Sequence, residues 1–195
     1  LTTNTQMNNE NFGDNNPMLK RTTDDLPEFP YIVDGVLNEL VKRDGGYYSP
    51  RDQSNFKIIH SAIEVTRNTN LLGYLNIVIS NQPDVARGYL NQHELEKMTE
   101  VLLDELIIDD VFYCIHDDSD LCECRKPAPG LFIKAAEKWK INLQKSNMIG
   151  DTWKDMEAAK NANVKHLLLD RDYNLNYESP NRINNLKDIF NHIKN

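Results

Sequence analysis

The segment Asp110–Gly130, DVFYCIHDDSDLCECRKPAPG, runs from an apolar stretch through an acidic, cysteine-bearing loop to a Pro-Gly pair. Asp110–Tyr113 reads as a buried strand, and the residues after Pro129-Gly130, with Leu131, Ala135 and Trp139 on one stripe, read as a helix. Between them stand all three cysteines, Cys114, Cys122 and Cys124, together with His116, one of five histidines. The spacing C-x-H-x5-C-x-C gathers three thiols and an imidazole within eleven residues, the ligand set of a closed tetrahedral zinc site. Its one-residue gaps are tighter than those of common zinc fingers, so a clip holding an inserted loop is expected. Asp117, Asp118, Asp120 and Glu123 interleave with the ligands, which does not suit three small cysteines buried in a core.

The alternation of strand and helix extends in both directions. On the N-terminal side, Leu75–Ser80 is a continuous apolar strand that stops at Asn81-Gln82-Pro83. Asn91 then caps a helix through Leu95, Met98, Val101, Leu102 and Leu106, with Glu94 placed for a capping box. Residues 56–69 predict a helix on Ile58, Ile59, Ala62, Ile63 and Val65, capped by Ser54 or Asn55. Phe29–Val33 reads as the first strand, ending at Asp34-Gly35, and the turn-rich residues 38–56 as a loop or small flap beside it. On the C-terminal side come a strand at Asn147–Ile149 ending in Gly150-Asp151, a helix Trp153–Ala162, a strand Val164–Leu169 and a terminal helix Ile183–Ile193. The polar, Asn-rich residues 1–28 read as a flexible arm, leaving 29–195 as one domain. This order predicts an α/β fold, a three-layer sandwich on a mostly parallel sheet with no large cap. Ligands of such sheets bind at the carboxyl ends of the strands. Asp34, Ser80-Asn81, Cys114 and Asp151 each end or follow one of the first four strands.

Composition narrows the partners. With 22 Lys and Arg against 30 Asp and Glu, the formal charge of the 195 residues is -8, and no basic stripe marks a nucleic-acid binder. No apolar run approaches the roughly 18 residues of a membrane span. Clustered cysteines suit a reducing compartment and a metal better than a disulfide scaffold, so a cytoplasmic protein is expected, by default a monomer. A small anionic metabolite remains open, since it responds to local groups and to any bound cation.

The strand ends could handle a phosphoryl group. Asp151 and Asp155, four apart at a helix start, offer one carboxylate to bind Mg2+ and one to support it. Ser80 brings a hydroxyl, the Asn81 backbone an N–H, Lys126 a mobile point charge, and Arg125 a rigid fork for a second anionic or polyol group. Such donors with a cation are what a transferring phosphoryl group needs. No P-loop glycine run is present.

The strings DGVLNE, VISNQPDVARG, the cysteine clip fused to RKPAPG, and IGDTWKDMEAA, in that order between Tyr31 and Asp170, make the chain resemble the haloacid dehalogenase superfamily. The likeness is to its small-capped branch, which includes heptose-bisphosphate and histidinol-phosphate phosphatases. The resemblance implies a magnesium-dependent phosphomonoester hydrolase acting on a small sugar phosphate or similar metabolite through an aspartyl-phosphate intermediate. It makes Ser80, Asn81 and Lys126 phosphate-binding, and Asp151 a magnesium ligand with Asp155 and the Asp34 backbone carbonyl. Asp34 becomes the acid/base, Arg125 and Arg87 substrate contacts, and the zinc clip of Cys114, His116, Cys122 and Cys124 structural.

One position departs. The superfamily's first motif is D-x-D-G, and its first aspartate is the nucleophile; here the chain reads PYIVDGVLNE, with Ile32 two before Asp34. Isoleucine has no lone pair to attack phosphorus or bind Mg2+, so the covalent step is impossible as the chain stands. Either the protein is a pseudophosphatase, or a zinc-stabilised domain that binds phosphorylated ligands without chemistry; or a modified aspartate between Ile32 and Val33 escaped the sequence, and PYI-D-V-D-G restores the motif.

Overall fold

The computed structural model of the chain describes residues 30–32 and 35–193. The expected arm at residues 1–28 and the candidate acid/base Asp34 lie outside the described residues. Among the described residues, eight strands and four α-helices follow in the order β1 (Pro30–Ile32), β2 (Val41–Arg43), β3 (Gly46–Tyr48), α1 (His60–Leu71), β4 (Ile77–Asn81), α2 (Gln92–Glu105), β5 (Asp110–Cys114), α3 (Gly130–Trp139), β6 (Asn147–Gly150), α4 (Trp153–Asn161), β7 (Lys165–Leu169) and β8 (Arg182–Ile183).

Six strands form one all-parallel sheet in the order β5-β4-β1-β6-β7-β8. The register sets Ile32 level with Val78 of β4 and Ile149 of β6. The chain moves outward from β1 through β4 to β5, then returns to β6 on the other side of β1. That reversal opens a crevice at the carboxyl ends of β1, β4 and β6, where parallel sheets bind ligands.

Strand side chains alternate between two cores. Ile77, Ile79, Phe112 and Met148 pack under Leu131, Phe132 and Ala135 of α3 and Ala158 and Ala159 of α4. Val78, Ile149, Leu167 and Leu169 face Ala62 and Val65 of α1, Leu102 of α2, and Leu186 and Ile189. A sheet covered on both faces explains why its strands read as apolar runs and not as apolar-polar alternation. Among the described residues, no helix is long and apolar enough to cross a membrane.

Four expectations need correction. The helix expected over 56–69 begins at His60 without a side-chain cap; Asp52, not Ser54 or Asn55, caps a separate 3-10 turn at Gln53–Asn55. Phe56–Ile59 stays extended because Ile59 N–H donates to Leu37 O and Glu39 N–H to Lys57 O, tying the segment to the loop after β1. The turn-rich flap contains a real antiparallel hairpin, β2-β3. The terminal helix is instead β8, paired with β7, followed by a 3-10 segment Leu186–Asn191 capped by Asn185. The buried Leu186 and Ile189 stand three apart, which suits 3-10 winding, and Ile183 pairs with Leu169 at the sheet edge. At α2, Asn91 caps as expected by accepting from Glu94 N–H, but the Glu94 carboxylate turns to Lys97 and to the Gln53 N–H and does not close the box.

Candidate active site

The crevice above the sheet encloses about 310 Å³ and is walled by the hairpin (Tyr47, Tyr48), the end of β4 (Asn81, Gln82), the cysteine loop (Asp118, Arg125, Lys126) and the start of α4 (Asp151, Lys154, Asp155). At its foot Lys126 Nζ lies 2.7 Å from Asp155 Oδ1, with side-chain exposures of 4% and 2%. Lys126 Nζ also donates to Ile79 O at 3.1 Å. Thr152 donates to the other Asp155 oxygen through its N–H and its hydroxyl, so both oxygens of Asp155 are engaged. Gly150 makes this possible: a Cβ there would collide with Asp155.

Asn81 and Lys126 are clamped reciprocally. The Asn81 amide donates to Lys126 O at 3.1 Å, and its oxygen accepts from Lys126 N–H at 3.0 Å. The Asn81 side chain therefore fixes the backbone that carries Lys126. Ser80 is fully buried beside them, its hydroxyl accepting from Gln82 Nε2 at 3.0 Å.

Asp151 follows β6 and is 2% exposed. Burial first, and then the charge of Asp155, push its carboxyl up to about 7. Burial acts the same way on Asp155, but the Lys126 ammonium and the Thr152 hydrogen bonds outweigh it and hold Asp155 below the usual carboxylate range. Two buried carboxylates against one lysine leave an excess of negative charge that a hard cation would relieve. Gly35 fits against this group at φ +80°, where a Cβ would overlap Asp151 Oδ2, and its carbonyl accepts from Arg171 Nη2 at 2.7 Å. Oxygen donors, tight packing and uncompensated charge suit Mg2+, with Asp151 the carboxylate better placed to hold it.

Two contacts to Asp151, and a third contact that supports one of them, were not anticipated. Tyr173 donates its hydroxyl to Asp151 Oδ2, Asn174 Nδ2 donates to Asp151 O at 2.7 Å, and Tyr47 of the hairpin packs on Tyr173 with ring centroids 4.8 Å apart. Tyr173 and Asn174 follow β7, a strand whose carboxyl end lies beside that of β6. The strand-end rule applied to this fifth strand would have found them.

Cys114, His116, Cys122 and Cys124 come together, all four donor atoms within 4.8 Å of one another. The sulfur pairs stand 3.2, 3.5 and 3.6 Å apart, and His116 Nδ1 lies 3.3 Å from Cys124 Sγ and 3.6 Å from Cys114 Sγ. A zinc tetrahedron with Zn–S bonds of about 2.3 Å has edges of about 3.7 Å, so the residues fit the ion with slight contraction. Burial, and then the neighbouring Cys124 thiol, raise the pKa of Cys114, which a bound cation would offset. Arg87 pairs with Asp117 at 2.5 Å, and Arg125 with Asp118 at 2.7 Å, binding the loop to the crevice wall.

The chain matches the family of haloacid dehalogenase-like hydrolases over residues 91–169. It is 37% identical over 142 residues to the D-glycero-beta-D-manno-heptose-1,7-bisphosphate 7-phosphatase of Helicobacter pylori J99, covering 70% of this chain and 78% of the relative. Identity to the enzyme of the same name from Escherichia coli K12 is 34% over 143 residues, covering 67% and 72%. Among solved structures, D,D-heptose 1,7-bisphosphate phosphatase from B. bronchiseptica, complexed with magnesium and phosphate, superposes with a TM-score of 0.73 over 85% of this chain and 97% of that one at 19% identity. Its counterpart from Burkholderia thailandensis gives 0.62 over 86% and 99% at 15% identity, a likeness of fold.

Proposed function

Because the chain belongs to the haloacid dehalogenase-like hydrolases, we propose that it is a magnesium-dependent phosphomonoester hydrolase of small sugar phosphates. The observation that carries this reading is the convergence of Lys126, Asp155 and Asp151 with the end of β4 at the topological switch point. Lys126, held by Asp155 and the Ile79 carbonyl, sets a fixed positive charge against the phosphoryl oxygens. Ser80 and the Asn81 backbone supply hydrogen bonds. Asp151, with the Asp34 backbone carbonyl, would hold Mg2+, while Asp155 orients Lys126 and Thr152. Magnesium, when bound, draws charge from the phosphoryl group. Zinc on Cys114, His116, Cys122 and Cys124 would fix the loop that delivers Arg125 and Lys126, and Arg125 and Arg87 would face the rest of the substrate.

The covalent step needs an aspartate that Ile32 cannot replace. Ile32 pairs with Val78 and Ile149, so one further strand residue would stand level with Ile79 and Gly150, directly before Ser80 and Asp151. An aspartate between Ile32 and Val33 would there attack phosphorus, the bond to the leaving oxygen would break, and Asp34 would give that oxygen its proton. Asp34 would then take a proton from the water that cleaves the acyl phosphate.

Ile32 itself favours the second reading, a pseudophosphatase that retains the phosphate-binding face. Tandem mass sequencing of the Pro30–Asn38 peptide, after removal of any acyl phosphate, separates the two. An added aspartate, with magnesium-dependent phosphate release that Asp34→Asn abolishes, supports the hydrolase. The peptide as written, with release at blank level for both forms, supports the pseudophosphatase.

A further inference from the structure

Beyond the phosphate site, three cations on the crevice wall converge on one exposed carboxylate. Arg125 Nε donates to Asp118 Oδ1 at 2.7 Å, Arg87 Nη2 lies 3.8 Å from Asp118 Oδ2, and Lys154 Nζ lies 4.0 Å from Oδ1. All four residues line the crevice. The Arg125 side chain is 8% exposed and that of Asp118 67%, so the carboxylate reaches in from solvent to meet a nearly buried guanidinium. The turn that carries Asp118 is built without this side chain: Asp118 N–H donates to Asp117 Oδ1 at 2.7 Å, and Asp117 N–H to Asp120 Oδ2 at 2.7 Å. Arg87 is further neutralised by Asp117, on which it makes two hydrogen bonds, and by Asp84 at 3.7 Å. Asp84 is shared with Arg51 at 2.6 Å, so four cations meet these three carboxylates, and Asp118 is the one carboxylate common to Arg87, Arg125 and Lys154.

We propose that Asp118 is a specificity-determining residue, an internal anion standing where a second anionic group of a substrate would meet Arg87, Arg125 and Lys154. A ligand with a phosphate at each end binds only by displacing Asp118 from those cations, while a monophosphate with a neutral polyol end leaves the pairs intact. Opposing an unwanted ligand charge with a like charge is an effective route to discrimination. The inference rests on the phosphate-site reading above and adds a preference within it.

The test is calorimetric titration of the full chain, with zinc and Mg2+ present, using fructose 6-phosphate and fructose 1,6-bisphosphate as probes; it needs no turnover. Asp118→Asn is expected to tighten the bisphosphate about five- to tenfold and the monophosphate by less than about twofold, with the gain shrinking as salt is raised. Glu123→Gln, which removes one exposed charge from the same loop, should change neither; Asp118→Ser repeats the measurement should asparagine disturb the turn. Equal tightening of both probes, no tightening with binding intact, or the same gain from Glu123→Gln would overturn the role of Asp118 alone. No binding of either probe to any form would overturn the phosphate-site reading and this one with it.

Discussion

Lys126 and Asp155 depend on one another because both side chains are almost wholly buried. Lys126→Met keeps the bulk of the side chain but strands the Asp155 charge, with Thr152 as its remaining hydrogen-bond partner. Urea unfolding should show a loss of about 3–5 kcal/mol, most of it recovered in the Lys126→Met/Asp155→Leu double variant, since a buried pair is dearer to break than to replace. Gly35 acts by absence. A methyl group there meets Asp151 Oδ2, and the backbone sits at φ +80°. Gly35→Ala should therefore displace Asp151 and weaken Mg2+ binding at least about tenfold by calorimetry; unchanged affinity would dissociate Gly35 from the cation site. Motif spacing suggested Lys126, Asp151 and Asp155 from the sequence, but not that Asp155 gives both oxygens to Lys126 and Thr152. That division of labour depends on where α4 begins and on its capping box.

The cysteine loop and the segment after β7 are the two elements that shape the site. The loop hangs on four side chains, so a strong chelator should remove one equivalent of zinc and lower the melting temperature by roughly 5–15 °C. Purified protein with no bound zinc and an unaltered melt on chelation would reject the clip. After β7, Tyr173 links Asp151 to Tyr47, and thus the foot of the crevice to the hairpin. Tyr173→Phe keeps the ring contact and removes the hydrogen bond; a fewfold loss of Mg2+ affinity with an unchanged melting temperature is expected. Equal affinity would assign Tyr173 to packing alone. The four-residue donor cluster was legible because its chemistry sits within eleven contiguous residues. Tyr173 was not, because its partners Asp151 and Tyr47 are far away in sequence.

At the scale of the whole molecule, stability should depend on acidity through His166. Burial lowers its pKa from 6.5 to about 4, with Asp155 opposing the shift and Lys126 adding to it, and its Nε2 has no hydrogen-bond partner among the described residues. The folded state resists the proton that the unfolded chain accepts, so this contribution is intact above pH 6.5 and is lost as pH falls toward 4. Between pH 7 and 4 the wild type should lose about 1–3 kcal/mol more than His166→Gln in urea titrations; parallel curves would reject the assignment. The parallel sheet itself was legible from apolar runs of strand length broken by helical periods. Its order was not, because the sequence does not record which strand lies beside which.

The sequence by itself determined the local terms: the α/β alternation, the apolar strands that end in polar chemistry, the compact C-x-H-x5-C-x-C donor set, and the isoleucine two residues before Asp34. Each follows from side-chain chemistry and near-neighbour spacing. Tertiary structure alone decided that β1 lies between β4 and β6 and that the last apolar stretch joins the sheet before winding into a 3-10 segment. It also drew Asp118 onto three cations from separate segments and set Tyr173 against Asp151. The reason is physical: burial, charge balance and hydrogen-bond partners are properties of neighbours in space, and the closing of the sheet at β1 chooses those neighbours.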